Sequence, residues 1–364
     1  MADTASADAG RFIVLDGMRG IAAMVVVVDH VPSATLGTLL PGRYLAVDFF
    51  FVLSGFVLSH VYGGRLAKGM PPLSFFLARI IRLYPLYLLA TLLGAVMSFL
   101  YITKGWSIGT PDKVAPALLF NLAFLPCPPA FTPDPRIPFP FVGPAWSLFF
   151  ELVVNAVYAF VAVHLSNARL AVFLVIAAPV LAVAIFALGN ADGGWSWGNF
   201  PVGFARVFFS FFAGVLIYRL RSIWMPPGIP TWLAVAVMIL VFMMPATGIW
   251  RPAFDSVAAI IVFPILVALS AGSNVRGYSA HVCLTLGLVS YGVYVLQVPI
   301  RQIVEIILGS GFRLRPEDLG DFAVVLVFVG SAGVAVIANV FYEAPLRRWL
   351  TRISTSRLRF TVGK

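Results

Sequence analysis

Arg19 and His30 interrupt the apolar stretch 12–31 at a separation of eleven residues. On an α-helix that is close to three turns, so both side chains share one face, about 16 Å apart along the axis. An imidazole that titrates near neutrality suits proton transfer, and a planar guanidinium suits phosphate. A snorkelling histidine beside an arginine paired with a lipid headgroup would show the same spacing. Asp29 is next to His30 but points about 100° away on the helix. Asp48 opens the following apolar stretch at a similar depth, where a carboxylate could orient the imidazole. It shares a face with Gly55 and Ser59, small residues that let helices approach.

Arg79 and Arg82, three apart beside Pro85, lie on one helix face; phosphate binding and plain charge anchoring both fit them. Ser147 and Glu151 stack four apart. Trp146 fits an interfacial belt, but a glutamate inside a span does not and is a functional candidate. Ser290, Tyr294, Gln297 and Arg301 form a polar stripe on an apolar stretch, either a site or inter-helix hydrogen bonding. Glu343 falls where pairing with Arg79 or Arg82 is natural. His60, His164 and His281 read as interfacial, and no metal site is read.

The elements that position these residues follow from composition. Of 364 residues 60% are hydrophobic and only 11% charged, against roughly a quarter charged in ordinary globular chains. Mean hydropathy is +0.96. Apolar runs of about 20 residues read as membrane-spanning helices, far longer than the alternating strands of a barrel. The expected fold is an all-α polytopic transmembrane bundle of about ten spans, near 12–31, 44–62, 77–102, 145–164, 168–189, 203–219, 231–247, 255–271, 283–300 and 321–342. With both termini cytoplasmic, fifteen basic residues fall inside, eight outside, and Arg19 and Arg206 within spans. That asymmetry selects this orientation. It also accounts for the net charge of +10 without nucleic acid.

Residues 1–11 form a polar cytoplasmic start with no cleavable leader. The membrane domain is 12–345, and 346–364 a basic cytoplasmic tail. The long outer loop 103–144 holds an apolar piece, 114–125, and then eight prolines within 126–144, which exclude a helix there. Phe131, Phe139 and Phe141 suggest a cap packed on the bundle. Cys127 and Cys283 are not expected to pair.

Seven segments in order resemble the acyltransferase 3 family, which includes bacterial O-antigen and exopolysaccharide acetylases. They are Leu15-Asp16-Gly17-Met18-Arg19-Gly20, the Arg19 to His30 spacing, Phe50-Phe51-Val52-Leu53-Ser54-Gly55-Phe56, Arg79-x-x-Arg82-x-x-Pro85, Trp146-Ser147-Leu148-x-x-Glu151, Ser290-Tyr291-x-x-Tyr294 and Glu343-x-Pro345. The resemblance implies an acyl-CoA donor from the cytoplasm, an acceptor hydroxyl at or beyond the outer face, and an essential role for His30. Two positions depart from the family pattern: Gln297 stands where a histidine is common, and Asp29 where an apolar or aromatic residue is usual. No added esterase-like domain is expected.

The expected activity is O-acyl transfer, of acetyl in the first instance, from acyl-CoA to a sugar, polysaccharide or lipid-linked glycan at the bacterial inner membrane. His30 would act as base, oriented by Asp48 or Glu151, or accept the acyl group itself. Arg19, Arg79 and Arg82 would hold the CoA phosphates. Trp146, Ser147, Tyr291, Tyr294 and Gln297 would contact substrate, with Glu343 in support. Acyl-CoA is a co-substrate, and no permanently bound cofactor is expected. The rival reading is a transporter or flippase for a lipid-linked sugar, which would use the same buried charges as a gated path.

Overall fold

The computed structural model describes residues 11–361 apart from 32, 34, 225, 246–247 and 310–315, and it leaves aside the side chains of 316–317 and 354–361. Residues 1–10, Arg313, Arg315, Lys364 and the tail side chains of Arg357 and Arg359 lie outside that description. Among the described residues every regular element is helical.

The main helices are α1 (Ile13–His30), α2 (Ala46–Ala67), α3 (Pro72–Thr103), α4 (Val114–Leu122), α5 (Ala145–Val161) and α6 (Asn167–Leu188). They continue with α7 (Phe200–Leu220), α8 (Thr231–Met243), α9 (Trp250–Ala271), α10 (Gly277–Ile307), α11 (Asp321–Ala338) and α12 (Ala344–Thr361). A π-helical turn, Ala258–Val262, interrupts α9, and another, Asn339–Glu343, joins α11 to α12. All ten stretches read as spans are helical. By length and composition seven described segments can cross a membrane: α2, α3, α6, α7, α9, α10 and the α11–α12 unit. The apolar α5 and α8 are shorter, and α1 carries Asp16, Arg19 and Asp29 within 18 residues.

The apolar stretches become helices because a chain out of water must satisfy its own amides and carbonyls. Their burial differs with their place. α6 turns Val175, Ile176 and Val183 outward, whereas α1, α2, α7 and α10 form the interior. α2 and α7 touch backbone to backbone: a Cβ on Gly55 would lie 1.8 Å from the Phe211 carbonyl oxygen, and one on Gly214 2.0 Å from that of Val52. Only glycine fits at either point, as the small-residue face of α2 predicts.

The long loop is a packed element. Its apolar piece folds as α4, whose Asn121 carbonyl accepts from the Tyr87 hydroxyl at 2.7 Å. Phe139 and Phe141 are buried, and the Phe141 carbonyl sits where a Cβ on Gly94 would be 2.1 Å away. Phe131 departs from the expectation: it is 48% exposed and stacks only on Phe120 of α4, because the prolines around it turn the chain outward. Cys127 and Cys283 are free and buried.

Candidate functional site

A chamber of about 700 Å³ opens beside the α2–α3 turn and the start of α12, at the end of the bundle that carries Arg19. Arg19, Arg79, Arg82 and Arg347 line it, with Ser54, Ser147, Glu151, Ser290, Tyr291 and Tyr294. Charge is arranged sparingly. Asp16 is shared by Arg11 at 2.6 Å and Arg19 at 3.0 Å. Glu343 is shared by Arg82 at 3.3 Å and Arg347 at 3.1 Å. Glu151 holds Arg79 at 2.9 Å and accepts from the Ser54 hydroxyl at 2.7 Å. Three carboxylates thus face five guanidiniums, a surplus of positive charge that suits a ligand with several phosphates. Arg19 is fixed further, donating to the Gly287 carbonyl at 2.7 Å and to Ser290 at 2.9 Å. Arg82 lies over the Tyr291 ring, whose hydroxyl donates to the Leu83 carbonyl at 2.6 Å.

The deep end of the chamber is closed by two hydroxyls. Ser147 Oγ donates to the Pro144 carbonyl at 2.9 Å and stands 2.6 Å from the Tyr294 hydroxyl. A serine has one proton to give, so Tyr294 is the donor in the second bond. Phe50 packs its edge on the Tyr294 ring. Gln297 is fully buried, donates to the Tyr294 carbonyl at 3.0 Å, and leaves its side-chain oxygen without a partner.

His30 lies beyond this closure. Gly143, one residue before Pro144, packs beside its ring, with Val298, one turn past Tyr294 on α10, on the same small space. A Cβ on Gly143 would be 3.0 Å from His30 Nε2 and 3.1 Å from Val298 Cγ2. A side chain at 143 would press on Nε2, and glycine spares it that contact. His30 Nδ1 is 2.9 Å from the Val26 carbonyl oxygen. A carbonyl only accepts, so Nδ1 carries the proton, and in the neutral imidazole Nε2 keeps its lone pair. Arg301 donates to the His30 carbonyl at 3.0 Å, and Asp29 turns away to Arg43 at 2.7 Å.

The structure corrects the proposed orienting pair. Neither Asp48 nor Glu151 bonds the imidazole. Glu151 is held by Arg79 and Ser54 in the chamber wall. Asp48 is fully buried against Arg206, at 2.6 and 3.1 Å. Arg206 also donates to the carbonyls of Gly193 at 2.7 Å and Tyr44 at 3.1 Å. The Tyr44 hydroxyl reaches Asp255 at 2.7 Å, and Arg251 closes the network. Trp146, expected to contact substrate, is buried beneath the Arg206 guanidinium, which makes it part of this scaffold. Of the residues singled out, Arg19, Arg79, Arg82, Ser147, Glu151, Tyr291 and Tyr294 line the chamber. His30, Asp48, Trp146, Gln297 and Glu343 do not. Sequence reasoning missed Ser54, Gly143, Arg347 and the pairing of Arg206. An arginine inside a span at the depth of Asp48 was the available signal for that pairing.

Asp192, in the turn between α6 and α7, is partly buried. Burial, with Asp29 nearby, raises its carboxyl from an ordinary 3.8 to about 6, against the pull of Arg206 and Arg43. Above that pH its ionised form burdens the fold. As pH falls through about 6 the folded state takes up a proton, and the burden is gone below 3.8. Asp192→Asn is therefore expected to raise the thermal unfolding midpoint of the detergent-solubilised protein above about pH 6 and to leave it unchanged below 3.8.

Comparison with known proteins agrees with the motif order. The profile of the acyltransferase 3 family, described as an acyltransferase domain, matches residues 12–343. A Rhizobium radiobacter protein named "Protein 2 in picA locus" is 45% identical over 183 residues, which are 48% of this chain and 94% of that protein. No solved structure matches the chain. A match that runs from the start of α1 to the π turn after α11 takes in every helix that builds the chamber except α12, and on it the chain belongs to the acyltransferase 3 family.

Proposed function

We propose that this protein is a multi-pass inner-membrane O-acyltransferase that takes an acyl group, acetyl in the first instance, from cytoplasmic acyl-CoA and places it on a sugar hydroxyl of a polysaccharide or lipid-linked glycan at the opposite face. One observation carries the reading: a chamber rimmed with arginines reaches the Tyr294–Ser147 pair, beyond which the His30 imidazole has its Nε2 against the side-chain-free Gly143. In this reading both termini are cytoplasmic and ten helical segments cross the bilayer. The chamber mouth then faces the CoA pool.

Arg19, Arg79, Arg82 and Arg347 hold the phosphates at the mouth, and the narrow pantetheine arm carries the thioester inward to the Tyr294–Ser147 pair, which parts during turnover to let it reach His30. His30 Nε2 takes the proton of the acceptor hydroxyl as its oxygen attacks the thioester carbonyl. The carbon–sulfur bond breaks, and the proton finally resides on the CoA thiol. In a covalent variant His30 Nε2 attacks first and the acyl-imidazole then meets the hydroxyl. Glu151, bonded to Arg79 and Ser54, acts by holding the donor-side arginine in place.

Purified protein, labelled acyl-CoA and a glycan acceptor test this directly. Acyl transfer to the glycan is expected, and glycan movement across a bilayer without acyl-CoA consumption would replace this reading with a transporter. Arg79→Ala and Arg82→Ala should each raise the KM for acyl-CoA about 10- to 100-fold, with a smaller effect on kcat, as expected for a lost charged hydrogen bond. A defect confined to acceptor KM would overturn their assignment.

A further inference from the structure

A second cavity, of about 360 Å³, lies between α3, α10 and α11 and shares Arg82, Tyr291 and Arg347 with the chamber. Its wall residues Leu288 and Val336 are 64% and 46% exposed, so it opens sideways through the apolar flank of the bundle. Its polar end is made by Arg82, Arg347, Asn339 and the carboxylate of Glu343.

Three observations point to an occupant. Arg82 and Arg347 share a single carboxylate, Glu343, which leaves one positive charge locally uncompensated. Asn339 begins the π-helical turn Asn339–Glu343, a distortion often found at functional sites. Half-buried at the cleft, its carboxamide has no hydrogen-bond partner among the described residues, and at an apolar flank such an amide gains from a polar ligand. Charge and amide donors call for an anion, and the apolar walls and sideways opening call for that anion to carry a hydrocarbon chain.

We propose that this cleft binds one anionic phospholipid, from the leaflet level with the chamber mouth. Its phosphate rests on Arg82, Arg347 and Asn339, and one acyl chain runs along Leu288 and Val336. A free phosphate would leave those walls uncovered, and a zwitterionic headgroup would bring its own cation to a site already in cationic surplus. Arg82 stands in both cavities, so the lipid braces a side chain of the chamber wall from behind. Binding is read without acyl transfer, so failure of the acyltransferase reading would leave this test intact.

Native mass spectrometry of the full chain released from detergent is the test, with phosphatidylglycerol, phosphatidylcholine or inorganic phosphate added. Retention of phosphatidylglycerol over phosphatidylcholine is expected. It should fall about tenfold in Asn339→Leu, the loss of one hydrogen bond to a charged group. Val336→Trp should likewise reduce it, by filling the cleft from the lipid side. Two variants on separate parts of the wall keep the test decisive if one fails to fold. Equal retention of the two lipids, retention unchanged in both variants, or displacement by inorganic phosphate would overturn the proposal.

Discussion

Replacing His30 with alanine is expected to abolish acyl transfer while the protein remains folded and membrane-inserted. A positioned base contributes about 10² to 10⁴ in rate, and more is lost if the residue also carries the acyl group. The fold has little to lose. Among the described residues the side chain's one hydrogen bond goes to the Val26 carbonyl of its own helix, and the Arg301 contact is to the His30 backbone, which alanine keeps. Transfer from labelled acyl-CoA by wild-type and variant proteins, matched for size-exclusion profile and thermal midpoint, checks this. Near-wild-type activity in the variant would remove the imidazole from the chemistry. Trapping acyl-enzyme in the wild type, and its loss in His30→Ala, would favour the covalent variant.

The second large effect is structural. Arg206→Met should destabilise the protein by about 3 to 5 kcal/mol, because it strands the fully buried Asp48 carboxylate without its partner charge. Both side chains are fully buried, and the arginine also serves the carbonyls of Gly193 and Tyr44. Asp48→Asn combined with Arg206→Met removes both charges and should recover a large part of the loss, a coupling that a double-mutant cycle reads directly. Thermal midpoints in detergent give the measurement. If the single variant unfolds where the wild type does, the pair is not what joins α2 to α7 at this depth.

Legibility in the sequence followed a physical divide. Long apolar runs specify helices almost by themselves, because hydrocarbon leaves the backbone no other partner. Arg19, Arg79 and Arg82 were readable as one cluster, because positions three or four apart and helix ends at one level bring side chains together. What depth alone could not give was the neighbour. Asp48 and His30 lie at similar depth, and that suggested a pair; yet Asp48 faces α7 and meets Arg206, while His30 faces α10 and the loop before α5. Rotation about a helix axis and the order of helices around the bundle decide such contacts, and neither is written in a hydropathy profile. Trp146, expected at substrate, was another case of an unseen neighbour: the guanidinium of Arg206 lies over its buried ring. Gly143 was silent: in a proline-rich stretch a glycine reads as a turn, and its steric role appears only once His30 is set against it.

The Tyr294–Ser147 contact carries a consequence beyond catalysis. On the proposed reading the protein receives a water-soluble donor on one side and serves an acceptor on the other, which risks making it a pore. Here the aqueous vestibule stops at a phenol, a serine and a phenylalanine edge. On that reading, a bilayer holding this protein is expected to keep its electrochemical gradient between turnovers, because this contact stops the vestibule short of the opposite face.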